Sequence, residues 1–104
     1  MIARVWEGVV SPERADAYGE YLRGPLGVVD YRNTPGNLGV TLLRCAEAGK
    51  CTFLLVSLWT SRDAIAEYAG ADIEKARYHP FDLECLLDPT PTVRHFDVLE
   101  HVSG

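Results

Sequence analysis

Three cysteines, an odd number, stand in the 104-residue chain, so it lacks the paired framework that staples small secreted domains. Its 10 Lys and Arg are dispersed and are outnumbered by 15 Asp and Glu, for a formal net charge of -5. With no basic stripe to track a phosphate backbone, nucleic acid is not expected as a partner. No stretch approaches the roughly 18 apolar residues of a membrane span. The longest apolar run, Phe53 to Trp59, contains Ser57 and has the length of a strand. Met1 to Glu7 is interrupted by charge too early to form the apolar core of a signal peptide. A cytoplasmic protein with no membrane partner is therefore expected. Hydrolase triads also lack support, because no nucleophile stands in a motif. Gly24-Pro25-Leu26-Gly27 has neither the Lys nor the strand–turn–helix setting of a phosphate loop. The three histidines are remote from one another in sequence and show no ligand spacing, so no metal is expected.

What remains is an ordinary globular composition, 47% apolar and 24% charged. The length suits one domain over residues 1–104, burying roughly two-thirds of the surface that its unfolded form exposes. There is no internal repeat and no low-complexity tract.

Ile2 to Val10 alternates β-branched, aromatic and polar residues and reads as a strand. Ser11-Pro12-Glu13 starts a helix, with Ser11 as N-cap and Pro12 in the first turn. Ala15, Tyr18, Tyr21 or Leu22, and Pro25 mark its apolar stripe, and Gly24-Pro25 ends it. Val28 to Asn37 shows neither period and reads as a loop with turns. A strand from about Gly39 to Ala46 is followed by a hairpin return, Cys51 to Trp59. If Gly49 takes a left-handed position after a type I turn, Ala46 closes the hairpin with Lys50 and Cys45 lies opposite Cys51. A disulfide is geometrically open to them there, but paired free thiols are expected in a reducing compartment. Thr60 or Ser61 caps the next helix, whose buried face is Ala64, Ile65, Tyr68 and Ala69, and Gly70 breaks it. A second short helix over Ala71/Asp72 to Arg77, a kinked Tyr78–Asp82 connection packed by Phe81, Leu83, Leu86 and Leu87, and a last strand over Thr92 to Val102 complete the chain.

The order β–α–β–β–α–β predicts an α+β, ferredoxin-like sandwich: a four-stranded antiparallel sheet with helices on one face. The other face carries apolar residues and is expected to meet a second copy, giving a homodimer.

Several residues carry candidate chemistry. His79 sits in a segment where a helix cannot continue; it is either a general base beside a cavity or a capping or surface residue. His95 shares one strand face with Asp97, so it either joins a helix-side pocket or meets a dimer partner. His101 lies near the terminus and is expected to be idle. Ser57 and Trp59 share a side, so Ser57 either bonds backbone or faces a pocket with Trp59. Trp6 reads as core or dimer contact. Arg32 and Asn37 frame a turn, where they either satisfy backbone groups or touch a ligand.

Four segments also carry a resemblance. Ile2-Ala3-Arg4-Val5-Trp6, the Asp30-to-Gly39 block, Phe53-to-Trp59 with Ser61, and Val93-Arg94-His95-Phe96-Asp97-Val98 together resemble antibiotic biosynthesis monooxygenase-like proteins of the dimeric α/β-barrel superfamily, over nearly the whole chain. The resemblance implies a dimer in which oxygen reacts with an electron-rich polycyclic phenol without metal or flavin, in a pocket between sheet and helices. By position, Trp59 matches a recurring aromatic at the end of the third strand. The haem-degrading branch implies an Asn on the first strand and an axial His about ten residues past the Trp; this chain has no such Asn, carries Ala69 there, and has His79 twenty residues past Trp59. The expected protein is a cofactor-independent monooxygenase of an aromatic or phenolic small molecule. His79 and His95 are its candidate bases, and Trp59, Ser57, Tyr68, Tyr78, Phe81, Arg32 and Asn37 its candidate substrate contacts. A non-catalytic dimeric ligand-binding or regulatory module, or a cyclase or isomerase of the same fold, is the alternative.

Overall fold

A computed structural model describes all residues, 1–104. Four strands, β1 (Ile2–Val10), β2 (Asn37–Glu47), β3 (Lys50–Trp59) and β4 (Arg94–Asp97), form one sheet in the order β2-β3-β1-β4. β3 runs antiparallel to both β1 and β2, and β1 antiparallel to β4, which interleaves two split β–α–β crossovers. This is the ferredoxin-like arrangement expected from the element order.

Register assigns the faces. Ile2 lies opposite Trp59, Arg4 opposite Ser57, Trp6 opposite Leu55 and Val10 opposite Cys51. The even positions of β1 and the odd positions of β3 therefore share one side, and they are the buried ones. Helices α1 (Ala15–Leu22) and α3 (Arg62–Ala69) contribute Tyr18, Leu22 and Ile65 to the core on that side. Gly8 has no side chain because the Trp6 ring and Leu86 lie across it; a Cβ there would stand 2.4 Å from the indole.

The opposite face of the sheet carries Val5, Leu54, Val56 and Leu58, half-buried, with Leu43 and Phe96 largely exposed. No helix lies over it.

Local chemistry accounts for the elements and for several departures from expectation. Ser61 caps α3 by accepting from the Ala64 N–H at 3.1 Å, and Gly70 ends it at φ 91°. Ser11 does not cap by its side chain; Pro12–Arg14 forms a 3₁₀ turn that leads into α1. Val28–Asn33 is not a loop but a short helix, α2, which carries the buried Tyr31 and lies against β2. The hairpin is tighter than expected, turning on Ala48 and Gly49 alone, both at positive φ (52° and 74°). That pairs Cys45 with Thr52 and Cys51 with Ala46, so Cys45 is exposed while Cys51 is buried on the other face, and the two thiols do not oppose each other.

Residues 71–79 form an irregular segment instead of a helix; it is tied to residues 91–93 by Ala76 N–H to Pro91 O and Val93 N–H to Glu74 O, each at 2.9 Å. The helix lies further on: α4 spans Pro80–Cys85, started by the Asp82 carboxylate, which accepts from the His79 N–H at 2.8 Å. Leu86 packs inward, but Leu83 and Leu87 are exposed. β4 covers only Arg94–Asp97, far less than Thr92 to Val102, because only Ile2 to Val5 of β1 offer it a partner.

Gly36, just before β2, lies hard against α3. Its φ is 88°, its carbonyl accepts from the Thr60 N–H at 2.9 Å, and a Cβ would stand 2.5 Å from that of Ala64. Gly36→Ala is expected to destabilise the fold by about 1–3 kcal/mol, read as a lower urea midpoint at unchanged m-value.

Candidate functional site

The helix-facing interior holds an unusual amount of polar and aromatic chemistry, gathered around one small cavity. β1 supplies Arg4 and Trp6, α2 supplies Tyr31, α3 supplies Tyr68, and the irregular segment and α4 supply His79 and Asp82. The free space is about 20 Å³, close to the volume needed for a single water.

Arg4 is 1% exposed. Its Nη1 donates to the Ile73 carbonyl at 2.5 Å and meets His95 Nε2 at 3.0 Å, while its Nε is buried with no partner. His79 Nε2 is the other buried side-chain polar atom without a partner, and both residues line this cavity.

The aromatic wall is a stack. Tyr31 and Tyr68 lie 4.4 Å apart, centroid to centroid, with Trp59 beneath at 6.2 and 6.0 Å. The Arg77 guanidinium covers Tyr68 at 4.9 Å, donates to its carbonyl at 2.7 Å and pairs with Asp30 at 3.3 Å. On the far side, Asp82 accepts from Tyr18 at 2.6 Å and from Tyr21 at 3.4 Å.

These surroundings keep the tyrosines protonated. Burial and then the Asp82 partner push Tyr18 far above the usual phenol range. Burial, then the nearby Asp82 charge, push Tyr21 up to about 12. Tyr68 is raised by burial and by Tyr31; Tyr31 is raised by burial against the pull of Arg4. The cavity tyrosines are thus neutral donors, and proton acceptance falls to histidine. His95 is held below the ordinary imidazole value, first by burial and then by the Arg4 and Arg62 cations. A neutral ring is the form that accepts from Arg4 through Nε2.

The predicted site residues divide into groups. His79 and Tyr68 line the cavity, and His95 projects to the same side and touches Arg4. Asp97 shares that side but pairs with Arg62 at 3.6 Å. Trp59 is fully buried beneath the tyrosine stack instead of standing at a pocket mouth, and its Nε1 donates to Ser57 Oγ at 2.8 Å. Tyr78 packs edge-on against Trp6 with its hydroxyl on the Thr90 carbonyl. Phe81 packs at a tilt against Tyr21, centroids 4.8 Å apart, and not against Trp59 or Tyr68. Asn37 donates to the carbonyls of Gly39 and Leu58, each at 3.4 Å, and Arg32 is exposed on α2.

A larger open groove, about 590 Å³, runs between α1 and β2 and holds none of these residues. The charges along it pair with each other, Asp16 with Arg44 at 3.3 Å and Glu20 with Arg23 at 3.4 Å. No three His, Cys, Asp or Glu side chains converge as a metal site.

Sequence reasoning missed Arg4, Tyr31, Arg77 and Asp82. The available signals were a charge on the Ile2, Trp6 and Val10 side of a strand for Arg4, and a carboxylate three residues after His79, ahead of a helix, for Asp82.

The same architecture occurs in solved structures. A Nitrosomonas europaea protein provisionally named an antibiotic biosynthesis monooxygenase is 15% identical, with a TM-score of 0.70, over 96% of this chain and 100% of that one. Another structure named antibiotic biosynthesis monooxygenase is 19% identical at TM-score 0.63, over 96% of this chain and 100% of that one. The haem-degrading MhuD of Mycobacterium tuberculosis, with two haems in its active site, is 22% identical at TM-score 0.61, over 99% and 100%. No protein-family model and no curated protein matches the chain. At these identities the likeness establishes the fold that antibiotic biosynthesis monooxygenases and MhuD share.

Because His95 is held low, the unfolded chain takes up its proton first as pH falls, so the stability that neutral His95 contributes is present above about pH 6.5 and is lost on acidification below it. The urea midpoint is expected to fall between pH 7.5 and 5.5, and to fall less in His95→Gln.

Proposed function

We propose that the chain is a cofactor-independent monooxygenase of an aromatic, phenol-bearing small molecule, working as a homodimer. One observation carries this reading: the interior beneath the helices gathers aromatic rings, neutral tyrosine donors and a histidine with an unpartnered ring nitrogen. A purely apolar binding module has no use for such groups; His79 Nε2 is buried, and His95, half-buried, turns toward Arg4. The fold shared with antibiotic biosynthesis monooxygenases supports the same direction.

In this reading an aromatic ligand enters by displacing Tyr68 from its stack on Tyr31. His79 is the candidate base for the phenolic proton. The phenolate then supplies electrons to dioxygen, and a C–O bond forms at a ring carbon that carries hydrogen. Loss of that hydrogen as a proton, with cleavage of the O–O bond, leaves a quinone and one water. One O₂ thus balances the four-electron oxidation of phenol to quinone. The protein contributes desolvation and fixed donors aimed at the developing negative oxygen. His95, its Nε2 engaged by Arg4, acts as a positioning residue for that cation.

Haem breakdown, the activity named for MhuD, is the weaker reading. Position 69 is Ala, the first strand has no Asn, and the interior is filled by the Tyr31–Tyr68 stack.

The open sheet face supports the dimer, since a continuous patch from Val5 through Leu54, Val56 and Leu58 to Phe96 calls for cover. Sedimentation is expected to give twice the chain mass, and Val56→Glu to give the single-chain mass. Oxygen uptake with a polycyclic phenol is expected from the native protein, reduced about 10²-fold or more in His79→Ala. Uptake unaffected by that substitution sinks the assignment of His79 as base.

A further inference from the structure

We propose that the substrate is an aromatic carboxylate, and that Arg4 is the counter-ion its carboxylate docks on. This rests on the cavity assignment above and names the class of molecule that fits it.

The argument begins with a charge that has no opposite. Arg4 lies in the middle of β1, 1% exposed, yet none of the four ion pairs in the protein includes it and no carboxylate comes within 4.0 Å. A guanidinium stays charged when buried, and an unpaired cation is among the costliest groups that a fold can enclose. Its existing neighbours are neutral: the Ile73 carbonyl, the imidazole of His95, the Tyr31 phenol, and more distantly the Tyr68 ring at 5.9 Å.

The geometry of those contacts selects the missing partner. Both hydrogen bonds use Nη1, so the group is held at one corner. The unpartnered Nε belongs to the opposite edge, which it forms with Nη2. Two parallel N–H donors on that edge match the two oxygens of a carboxylate. Asp82 lines the same cavity but is already held by Tyr18, Tyr21 and the His79 N–H. It therefore leaves Arg4 uncompensated. Arg77 adds a second cation to the cavity wall, and the rings of Trp6, Tyr31 and Tyr68 supply the flat apolar surface that an aromatic body requires. The cavity as it stands has room for about one water, so the aromatic body is accommodated only once Tyr68 leaves its stack on Tyr31, and a carboxylate on Arg4 then brings the charge that the fold lacks.

The test is calorimetric titration of the full chain with 2-naphthoate, 2-naphthamide, 2-naphthol and inorganic phosphate. Naphthoate is expected to bind at least tenfold more tightly than the amide or the phenol, with affinity falling as salt rises. In Arg4→Met, checked for folding by circular dichroism, the preference for naphthoate over naphthamide is expected to vanish. ¹⁵N NMR of the native protein gives a second reading that needs no variant: the Arg4 Nε–H resonance is expected to move with naphthoate and not with naphthamide. Equal affinity of the native protein for acid and amide overturns the proposal, as does binding of phosphate without naphthoate. All of these readings are made without turnover. Absent oxygen uptake would therefore count against the monooxygenase and leave the carboxylate site standing, while a failed titration would leave the uptake measurement intact.

Discussion

The unbroken antiparallel register between β1 and β3, from Ile2 opposite Trp59 to Val10 opposite Cys51, is the constraint on which the rest of the molecule depends. Side chains alternate along a strand, so this pairing decides as a set which of them meet the helices. It puts Trp6, Val10, Phe53, Leu55 and Trp59 into one core and carries Arg4 and Ser57 in with them. A slip of one residue would bring Glu7 inside and turn Arg4 out. The polar interior is thus a consequence of the same pairing that builds the hydrophobic one.

Within that interior, the polar groups settle into two unequal sets. Asp82 is saturated: two tyrosine hydroxyls and the His79 N–H converge on it, which ties α1 to the start of α4. The Arg4 side is unsaturated, with donors left over and only neutral acceptors in reach. Saturated networks rigidify a fold, whereas groups left unpaired at a cavity carry the signature of a site. The tyrosines between the two sets remain protonated through burial, so they present hydrogen-bond donors to whatever occupies the space.

The sequence legibly encoded the parts whose signals are local. The alternation of Ile2 to Val10, the run Phe53 to Trp59, the Ser61 cap and the Gly70 stop all sit where they were read, and they suffice for the ferredoxin-like order. The elements that went astray are those decided by tertiary contact. Val28 to Asn33 is too short to show a helical period and is helical because Tyr31 reaches the core. Ala48 accepts a left-handed φ that its residue type does not advertise, which shifted the expected hairpin by one position. Arg4 escaped notice because both faces of β1 are rich in apolar residues, so alternation alone could not say which face was inside. His79 and Tyr68 were legible as candidates by residue type and location; their convergence with Arg4 required the fold.

The ends of the sheet carry a different lesson. β4 pairs with only Ile2 to Val5, which leaves the second half of β1 as a bare row of amides and carbonyls that another chain could extend. The segment after α4 closes part of that row: the Leu87 N–H reaches the Val9 carbonyl at 2.7 Å, and Leu86 packs across Gly8. At the other margin, β2 is eleven residues long, but an irregularity between Asn37 and Gly39 interrupts its pairing. Arg44 and Glu47 add charge along that margin. The molecule therefore blocks strand addition by different means at its two borders, a plug of chain on one and a bulge with charge on the other, so that its sheet ends at four strands.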